Sequence, residues 1–174
     1  GVNKDRSPRT GNQHGGLSIS PYNVYQCRDG HCAILANNEH QWQALARYFD
    51  QPQVIEDPRY ATMYDRVKNI DEVDAMVARW VRDHGKEDLF KGLVAVGVPC
   101  SPVRELSEVM VDEHLHVRGA LVHIDHPLYG PITLPTSPIV YEGMERGIRW
   151  PSRKLGQDQA RLDPKSQHRT WAEE

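Results

Sequence analysis

The clearest hydrophobic pattern in the chain runs from residue 21 to residue 50. Strand-forming residues occur in Tyr22–Tyr25, and Asp29–Gly30 is a strong hairpin signal, because glycine tolerates the positive φ that such a turn needs. Ala33–Ala36 is continuously apolar, as in a strand that is covered on both faces. Between Glu39 and Asp50 the apolar side chains recur at helical spacing: Trp42, Leu45, Ala46 and Phe49. The pattern predicts a β-hairpin followed by a helix that packs against it.

Helical periods dominate the middle of the chain. The prolines in Gln51–Tyr60 predict a loop there. Four further helices are predicted, at residues 61–68, 69–85, 86–97 and 106–117. The second has a capping signature, in which Asn69 caps the helix and Glu72 returns to the Asn69 N–H. Gly85 and Gly97 are expected to end the second and third helices.

The remaining apolar segments predict short strands. Val98–Val103 contains two prolines, so we expect an extended connector with edge pairing near its end rather than a central strand. Leu121–His126 alternates as a strand does, and Ile132–Leu134 and Ile139–Tyr141 predict two more. Strands at both ends with helices grouped between them predict an α+β domain, with a small antiparallel sheet and a cluster of helices inserted between its strands.

The two ends of the chain are polar and carry few apolar residues. Neither residues 1–20 nor residues 147–174 can bury enough surface to offset their ordering entropy. We therefore predict a piece of a larger protein in three parts. A connector from a missing large domain occupies 1–20, a small α+β domain occupies 21–145, and a return segment or tail occupies 146–174.

The composition of the chain limits which binding partners and which cellular compartment we expect. The chain has 174 residues, a net charge of −3 and a mean hydropathy of −0.65. These values give no electrostatic reason to expect a nucleic acid or an anionic membrane as partner. We expect no transmembrane helix and no secretory signal, because no run of apolar residues is long enough. Three cysteines are too few for a disulfide scaffold, which favours the cytoplasm.

Several residues are candidates for chemistry, each with a structural alternative. Cys27, His31 and Cys32 could suggest a zinc site, but two buried thiols explain the cysteines better. Cys100 is expected to lie far from these residues. We predict no metal site. The remaining histidines are expected to be solvated or locally hydrogen-bonded: His114, His116, His123 and His126.

Glu39 and the glycine pair Gly15–Gly16 are candidates for a functional site. Glu39 opens a helix directly after a strand, where the helix N-terminus stabilises a carboxylate and where reactive groups are often displayed. Gly15 and Gly16 let the backbone approach a ligand closely, although a flexible linker is the simpler interpretation. No phosphate-binding loop or serine nucleophile elbow is present. The residues alone therefore predict an α+β module without a self-contained active site.

A set of short motifs, in one order along the chain, resembles the class III CoA-transferase (CaiB/BaiF) family. The motifs are Arg9–His14, Pro21–Tyr25, Asp29–Gly30, Glu39–Trp42, Asp57–Thr62 with Arg66, Gly97–Val103, Arg118–Gly119, His126–Pro127, Gly130 and Ser137–Pro138. Leu155–Asp158 departs from the Leu-Gly-Glu-His that is usual in the family. The resemblance implies a large Rossmann-like domain plus a small α+β domain, in subunits that interlock as a homodimer.

The resemblance also implies where the chemistry lies. The catalytic aspartate of the family, and most CoA contacts, belong to the large domain, so no catalytic residue is expected in this chain. Gly15 and Gly16 match a glycine loop that closes over the active site in some members, and Glu39 matches a glutamate near the active site of the racemase branch. CoA is expected as part of a thioester substrate, and no bound cofactor is implied.

The resulting prediction is a fragment of an enzyme that transfers CoA between an acyl-CoA and a carboxylic acid, inactive in isolation. Two alternative functions remain open. One is an acyl-CoA racemase or isomerase of the same superfamily, which works by proton abstraction beside a thioester carbonyl. The other is a non-catalytic interaction module. If a large domain is missing, exposed apolar surface should favour self-association.

Overall fold

The computed structural model describes residues 9–144 and 146–159. Parts of the two predicted polar ends, residues 1–8 and 160–174, lie outside these ranges. The chain divides into two compact units between Arg104 and Glu105. The predicted division into residues 1–20, 21–145 and 146–174 concerns a longer protein and stays a prediction.

The first unit is built on a three-stranded antiparallel sheet. Its strands are β1 (Tyr22–Cys27), β2 (Gly30–Leu35) and β3 (Cys100–Pro102), in the order β1-β2-β3. The predicted hairpin is present, with Tyr22 opposite Leu35 and Cys27 opposite Gly30. β3 forms the short edge strand expected near Val103, because the proline nitrogens beside and within it donate no hydrogen bond.

Five helices pack with this sheet in the first unit. They are α1 (Glu39–Tyr48), α2 (Gln53–Glu56), α3 (Met63–Lys68), α4 (Ile70–Val81) and α5 (Lys86–Ala95). α2 is one helical turn within a segment that we had predicted to be a loop. Gly97 follows α5 with a φ of +77°, as predicted for a residue that ends a helix.

The helix ends are set by tertiary contacts that the local pattern did not predict. Asn69 occupies the N-cap position of α4, as predicted, but its side-chain amide donates to the carbonyls of Arg59 and Asp65. It makes no capping hydrogen bond to α4, so that part of the prediction was wrong. Gly85 does not end α4 but forms the N-cap of α5. There the Asp29 carboxylate of the hairpin turn accepts the Lys86 N–H at 2.8 Å, so a distant side chain caps this helix.

The core of the first unit lies between the sheet and the helices. Trp42 stacks on Trp80, whose ring also stacks on Phe49, with centroids 5.9 and 5.7 Å apart. The core residues without exposed surface belong to both layers: Cys32, Ala36, Trp42, Leu45, Ala46, Val73, Val77, Val81, Leu89, Leu93 and Val98. The apolar stripes of α1, α4 and α5 predicted from sequence supply most of them.

The second unit contains α6 (Leu106–Met110), α7 (Glu113–Val117), β4 (Leu121–His126) and β5 (Gly130–Pro135). β4 and β5 pair as an antiparallel hairpin, and β5 is longer than the strand predicted at Ile132–Leu134. The single helix predicted for residues 106–117 is divided in two, because the Asp112 carboxylate accepts the Leu115 N–H and begins a new helix.

The strand predicted at Ile139–Tyr141 was wrong. These residues have no strand partner in the described chain, and about 60% of each side chain's surface is exposed. A short apolar run forms a strand only where another strand supplies its hydrogen bonds, and no neighbour in the described residues does so. The α+β class itself is confirmed. Within residues 9–144 and 146–159 we find no helix with the length and apolar character needed to cross a bilayer.

Candidate functional site

Glu39 lies at the first position of α1, directly after its cap. The Asn38 side chain accepts the Gln41 N–H at 2.9 Å, which places the helix start here. The Glu39 Oε1 atom accepts the Met63 N–H at 2.8 Å, and Oε2 lies 2.7 Å from Nη1 of Arg66. The side chain is 45% exposed, and both of its oxygens contact α3, Oε1 through a hydrogen bond and Oε2 through the ion pair with Arg66.

Arg66 has no exposed surface and connects three segments of the first unit. Its Nε donates to the Ser20 carbonyl at 2.8 Å, and Nη1 donates to the Tyr60 carbonyl at 3.0 Å. Its guanidinium also lies over the Trp42 ring, 5.2 Å from the centroid. Burial lowers the pKa of Arg66, while the negative charge of Glu39 acts in the opposite direction.

A second polar anchor holds the N-terminal connector to α4. The Asp74 Oδ2 atom accepts from the amides of Gln13 at 2.7 Å and Asn23 at 2.8 Å, and Oδ1 accepts from the Tyr25 hydroxyl at 2.6 Å. The Tyr25 side chain is buried, and burial raises its pKa well above the ordinary value, with the Asp74 charge and hydrogen bond acting in the same direction.

Gly15 and Gly16 form an exposed turn between these two anchors. Before the turn, Gln13 is held by Asp74, and the His14 ring stacks on Tyr22 with centroids 5.2 Å apart. After it, the Ser20 carbonyl is held by Arg66. A Cβ added at Gly15 would meet no atom within 4 Å, whereas a Cβ added at Gly16 would lie 3.0 Å from the His14 ring.

Arg66 therefore links the connector to Glu39. In the sequence, Arg66 was recognisable only as part of a family motif. Ser20 and Glu39 both bind this guanidinium. No local pattern indicated that Arg66 would be buried, because α3 is too short to show a periodic face. Asp74 was not predicted as a site residue either. The sequence feature that could have indicated its role was its position beside the apolar stripe of α4.

The cysteines are arranged differently from our expectation. Cys100 does not lie far from the other two: its Sγ is 3.0 Å from the Sγ of Cys32. Cys27 is buried, and burial raises its pKa to about 11. None of the three forms a disulfide. In the part of the chain that the structure describes, no group of three possible ligand side chains could hold a metal ion.

The histidines of the second unit have local partners. The His116 and His123 rings stack with centroids 4.8 Å apart, and His123 Nδ1 lies 2.8 Å from the Thr133 hydroxyl. His126 is buried, and its Nε2 lies 3.1 Å from both the carbonyl and the hydroxyl oxygen of Ser152. Local partners were expected for His116, His123 and His126, and each of them has one.

Replacing Arg66 by methionine should strongly destabilise the first unit. The Ser20 and Tyr60 carbonyls would lose their donor and Glu39 its counter-ion, so we expect the free energy of unfolding to fall by about 3–5 kcal/mol. Urea unfolding followed by tryptophan fluorescence measures this change. The matched control Arg59→Met removes an exposed arginine nearby and should have a much smaller effect. A loss no larger than that of the control would contradict the anchoring role.

Tyr25 should make the fold sensitive to alkali. Its folded pKa lies above the ordinary value of 10.0, so above pH 10 the folded state keeps a proton that the unfolded state loses. The contribution of this group is complete below pH 10, and above it stability should decline by about 1.4 kcal/mol per pH unit until the folded pKa is reached.

Urea midpoints measured between pH 8 and pH 11 check this expectation. Tyr25→Phe should show a shallower decline above pH 10 than the unmodified chain. The control Tyr64→Phe removes an exposed hydroxyl and should keep the original slope. Equal slopes for Tyr25→Phe and the unmodified chain would show that the tyrosine is not the source.

Comparisons with known proteins agree with the resemblance. A family model described as CoA-transferase family III matches residues 2–159. Succinyl-CoA:glutarate CoA-transferase of Homo sapiens is 26% identical over 165 residues, which are 90% of this chain and 35% of that protein. Succinyl-CoA–D-citramalate CoA-transferase of Chloroflexus aurantiacus is 27% identical over 80% of this chain and 35% of its own length. The chain thus spans about a third of the length of these two relatives.

Solved structures show the same fold. A CaiB/BaiF family protein from Brucella suis superposes with a TM-score of 0.75 and 28% identity, covering 90% of this chain and 40% of that one. The Mycobacterium tuberculosis protein Rv3272, at 20% identity, shares the fold with a TM-score of 0.62 over 71% of this chain and 34% of its own. Since the family model matches nearly all of the described residues, the chain belongs to CoA-transferase family III.

Proposed function

We propose that this chain is part of an enzyme that transfers CoA from an acyl-CoA thioester to a carboxylic acid. The observation that carries the proposal is the family match over residues 2–159. Several relatives are named for succinyl-CoA together with a dicarboxylic acid: glutarate, D-citramalate or mesaconate. We therefore propose succinyl-CoA as donor and a dicarboxylic acid as acceptor.

The nucleophile of this reaction is proposed to lie outside these 174 residues. The family works through a carboxylate that forms covalent intermediates, which divides one difficult transfer into easier steps. No residue of this chain matches that aspartate, and the chain spans about a third of its relatives' length. In this proposal the chain supplies part of the wall of the active site and has no activity in isolation.

The Gly15–Gly16 turn is proposed as a lid over that site. Both glycines are exposed, while the residues on either side are held by Asp74 and Arg66. Fixed ends with an exposed centre suit a loop that closes over a substrate. Exclusion of water is useful here, because anhydride and thioester intermediates hydrolyse when they are wet.

Glu39 is proposed to position the wall rather than to react. Its Oε1 is occupied by the Met63 N–H and its Oε2 by the Arg66 guanidinium. A carboxylate held in this way orients the start of α1 relative to the connector. The relatives' names favour transfer over the racemase alternative.

The parent protein is proposed to act as a cytoplasmic homodimer with CoA thioesters as substrates and no bound cofactor. The three cysteines without disulfides suit a reducing compartment. Large apolar side chains of the second unit are exposed, which favours association with a second copy or with the rest of the protein: Val111, Val117, Ile139, Val140 and Tyr141.

A transfer assay tests the proposed activity. The 174-residue chain and the longest protein encoded by its gene are incubated with succinyl-CoA and glutarate, and glutaryl-CoA is measured by mass spectrometry. We expect product from the longer protein and none from the chain alone. Product from the chain alone would contradict an external nucleophile. Absence of product from a longer protein that contains the large domain would contradict this donor and acceptor and favour the module alternative.

The lid is tested by partitioning between transfer and hydrolysis in the active longer protein. Gly15→Val together with Gly16→Val stiffens the turn, so we expect the ratio of free CoA, the product of hydrolysis, to glutaryl-CoA to rise by about tenfold. The control Glu56→Ala changes an exposed residue elsewhere in the first unit and should keep the original ratio. An unchanged ratio in the double variant would rule out the lid.

A further inference from the structure

Two thiols meet across the sheet of the first unit. Cys32 lies on β2 and Cys100 on β3, and the register places Cys32 opposite Pro102 and Ile34 opposite Cys100. Residues two apart on a strand share a face, so the two cysteines are diagonal neighbours on one face of the sheet. Their sulfur atoms lie 3.0 Å apart, although the residues are separated by 68 positions in sequence.

The two sulfurs differ in surroundings. Cys32 has no exposed surface, whereas Cys100 is partly exposed. The Cys32 thiol lies within hydrogen-bond distance of the Cys100 sulfur and, at 3.4 Å, of the Ser101 carbonyl. The contact between the two sulfurs lowers the pKa of Cys100 and raises that of Cys32, whose burial acts in the same direction. Of the two thiols, Cys100 is therefore the one that ionises more readily.

We propose that the partly exposed Cys100 is a peroxide-reactive cysteine and Cys32 its resolving thiol, and that the two form a reversible disulfide between β2 and β3. The arrangement matches the pattern of redox-sensitive sites, in which an accessible thiolate lies beside a second thiol. Nothing in this inference depends on the proposed transferase activity.

The reaction balances with a hydroperoxide as oxidant. The Cys100 thiolate attacks one peroxide oxygen, the O–O bond breaks, and hydroxide or alkoxide leaves, so that Cys100 becomes a sulfenic acid. Cys32 sulfur then attacks the Cys100 sulfur. The S–S bond forms, the S–OH bond breaks, and the Cys32 proton leaves with the hydroxyl group as water. The two sulfurs lose two electrons in total, and the peroxide gains them. A dithiol reductant reverses the change by thiol–disulfide exchange.

The short edge strand can accommodate this bond. The sulfurs must approach by about 1 Å to reach the length of a disulfide. β3 has only three residues and is paired on one side, so its position can adjust more easily than that of β2, which is paired on both sides. Cys27, on the neighbouring β1, is buried with its thiol directed to the Tyr25 carbonyl, and its raised pKa makes it an unreactive internal reference.

Trypsin separates the three cysteines, which makes the test direct. Cleavage after lysine and arginine places Cys27 in residues 10–28, Cys32 in residues 29–47 and Cys100 in residues 92–104. The folded, reduced chain is treated with hydrogen peroxide, remaining thiols are blocked, and peptides are mapped without reductant. We expect a mass loss of about 2 Da, a link between the second and third peptides, and reversal by dithiothreitol.

Reaction rates and variants test the separate roles. Cys100 should react with iodoacetamide at least about tenfold faster than Cys27 in the folded chain. Cys32→Ser should leave Cys100 as a sulfenic acid, which dimedone traps on residues 92–104. The matched control Cys27→Ser should keep the cross-link unchanged.

Several results would overturn the proposal. These are a link between Cys27 and Cys32, disulfides only between separate chains, or thiols that remain reduced at peroxide concentrations that oxidise free cysteine. Equal alkylation rates for Cys27 and Cys100 would also overturn it. The peptide map and the rates use the unmodified chain, so the test stands even if a cysteine variant fails to fold.

Discussion

A guanidinium without exposed surface needs hydrogen-bond acceptors around it, and Arg66 takes them from segments far apart in sequence. Transfer of a cation out of water costs several kcal/mol unless partners compensate for the lost hydration. Here the Ser20 carbonyl, the Tyr60 carbonyl and the Glu39 carboxylate do so. The connector, the loop before α3 and the start of α1 therefore hold one another in place, and none can shift without leaving a buried charge poorly solvated.

Asp74 carries the opposite charge and is held in a similar way. Its carboxylate accepts hydrogen bonds from Gln13, Asn23 and Tyr25. Together the two anchors fix the connector before and after the exposed Gly15–Gly16 turn. The turn itself is closed by a hydrogen bond from the Leu17 N–H to the His14 carbonyl at 2.8 Å, and both glycines are exposed.

The sheet connects these anchors to the thiol pair. Tyr25, which binds Asp74, lies opposite Cys32 in the β1–β2 register, and Cys32 contacts Cys100 on the other side of β2. β2, the central strand, thus pairs with the strand that carries Tyr25 and also carries Cys32 of the sulfur pair. A change of redox state at β3 would act directly on the strand that supports the connector.

The sequence alone determined the elements whose signals are local: the hairpin at Asp29–Gly30, the amphipathic stripes of α1, α4 and α5, and the strand at Leu121–His126. The family motifs also identified the right family, because a set of short patterns in a conserved order is specific even without coordinates. Only the tertiary structure decided which polar groups became partners. The Asn69 amide donates to carbonyls and makes no capping hydrogen bond to α4, Ile139–Tyr141 has no neighbouring strand in the described residues, and Cys100 meets Cys32. The reason is physical: periodicity reports which side of an element is apolar, whereas hydrogen bonds and thiol contacts depend on groups that only folding brings within a few ångströms.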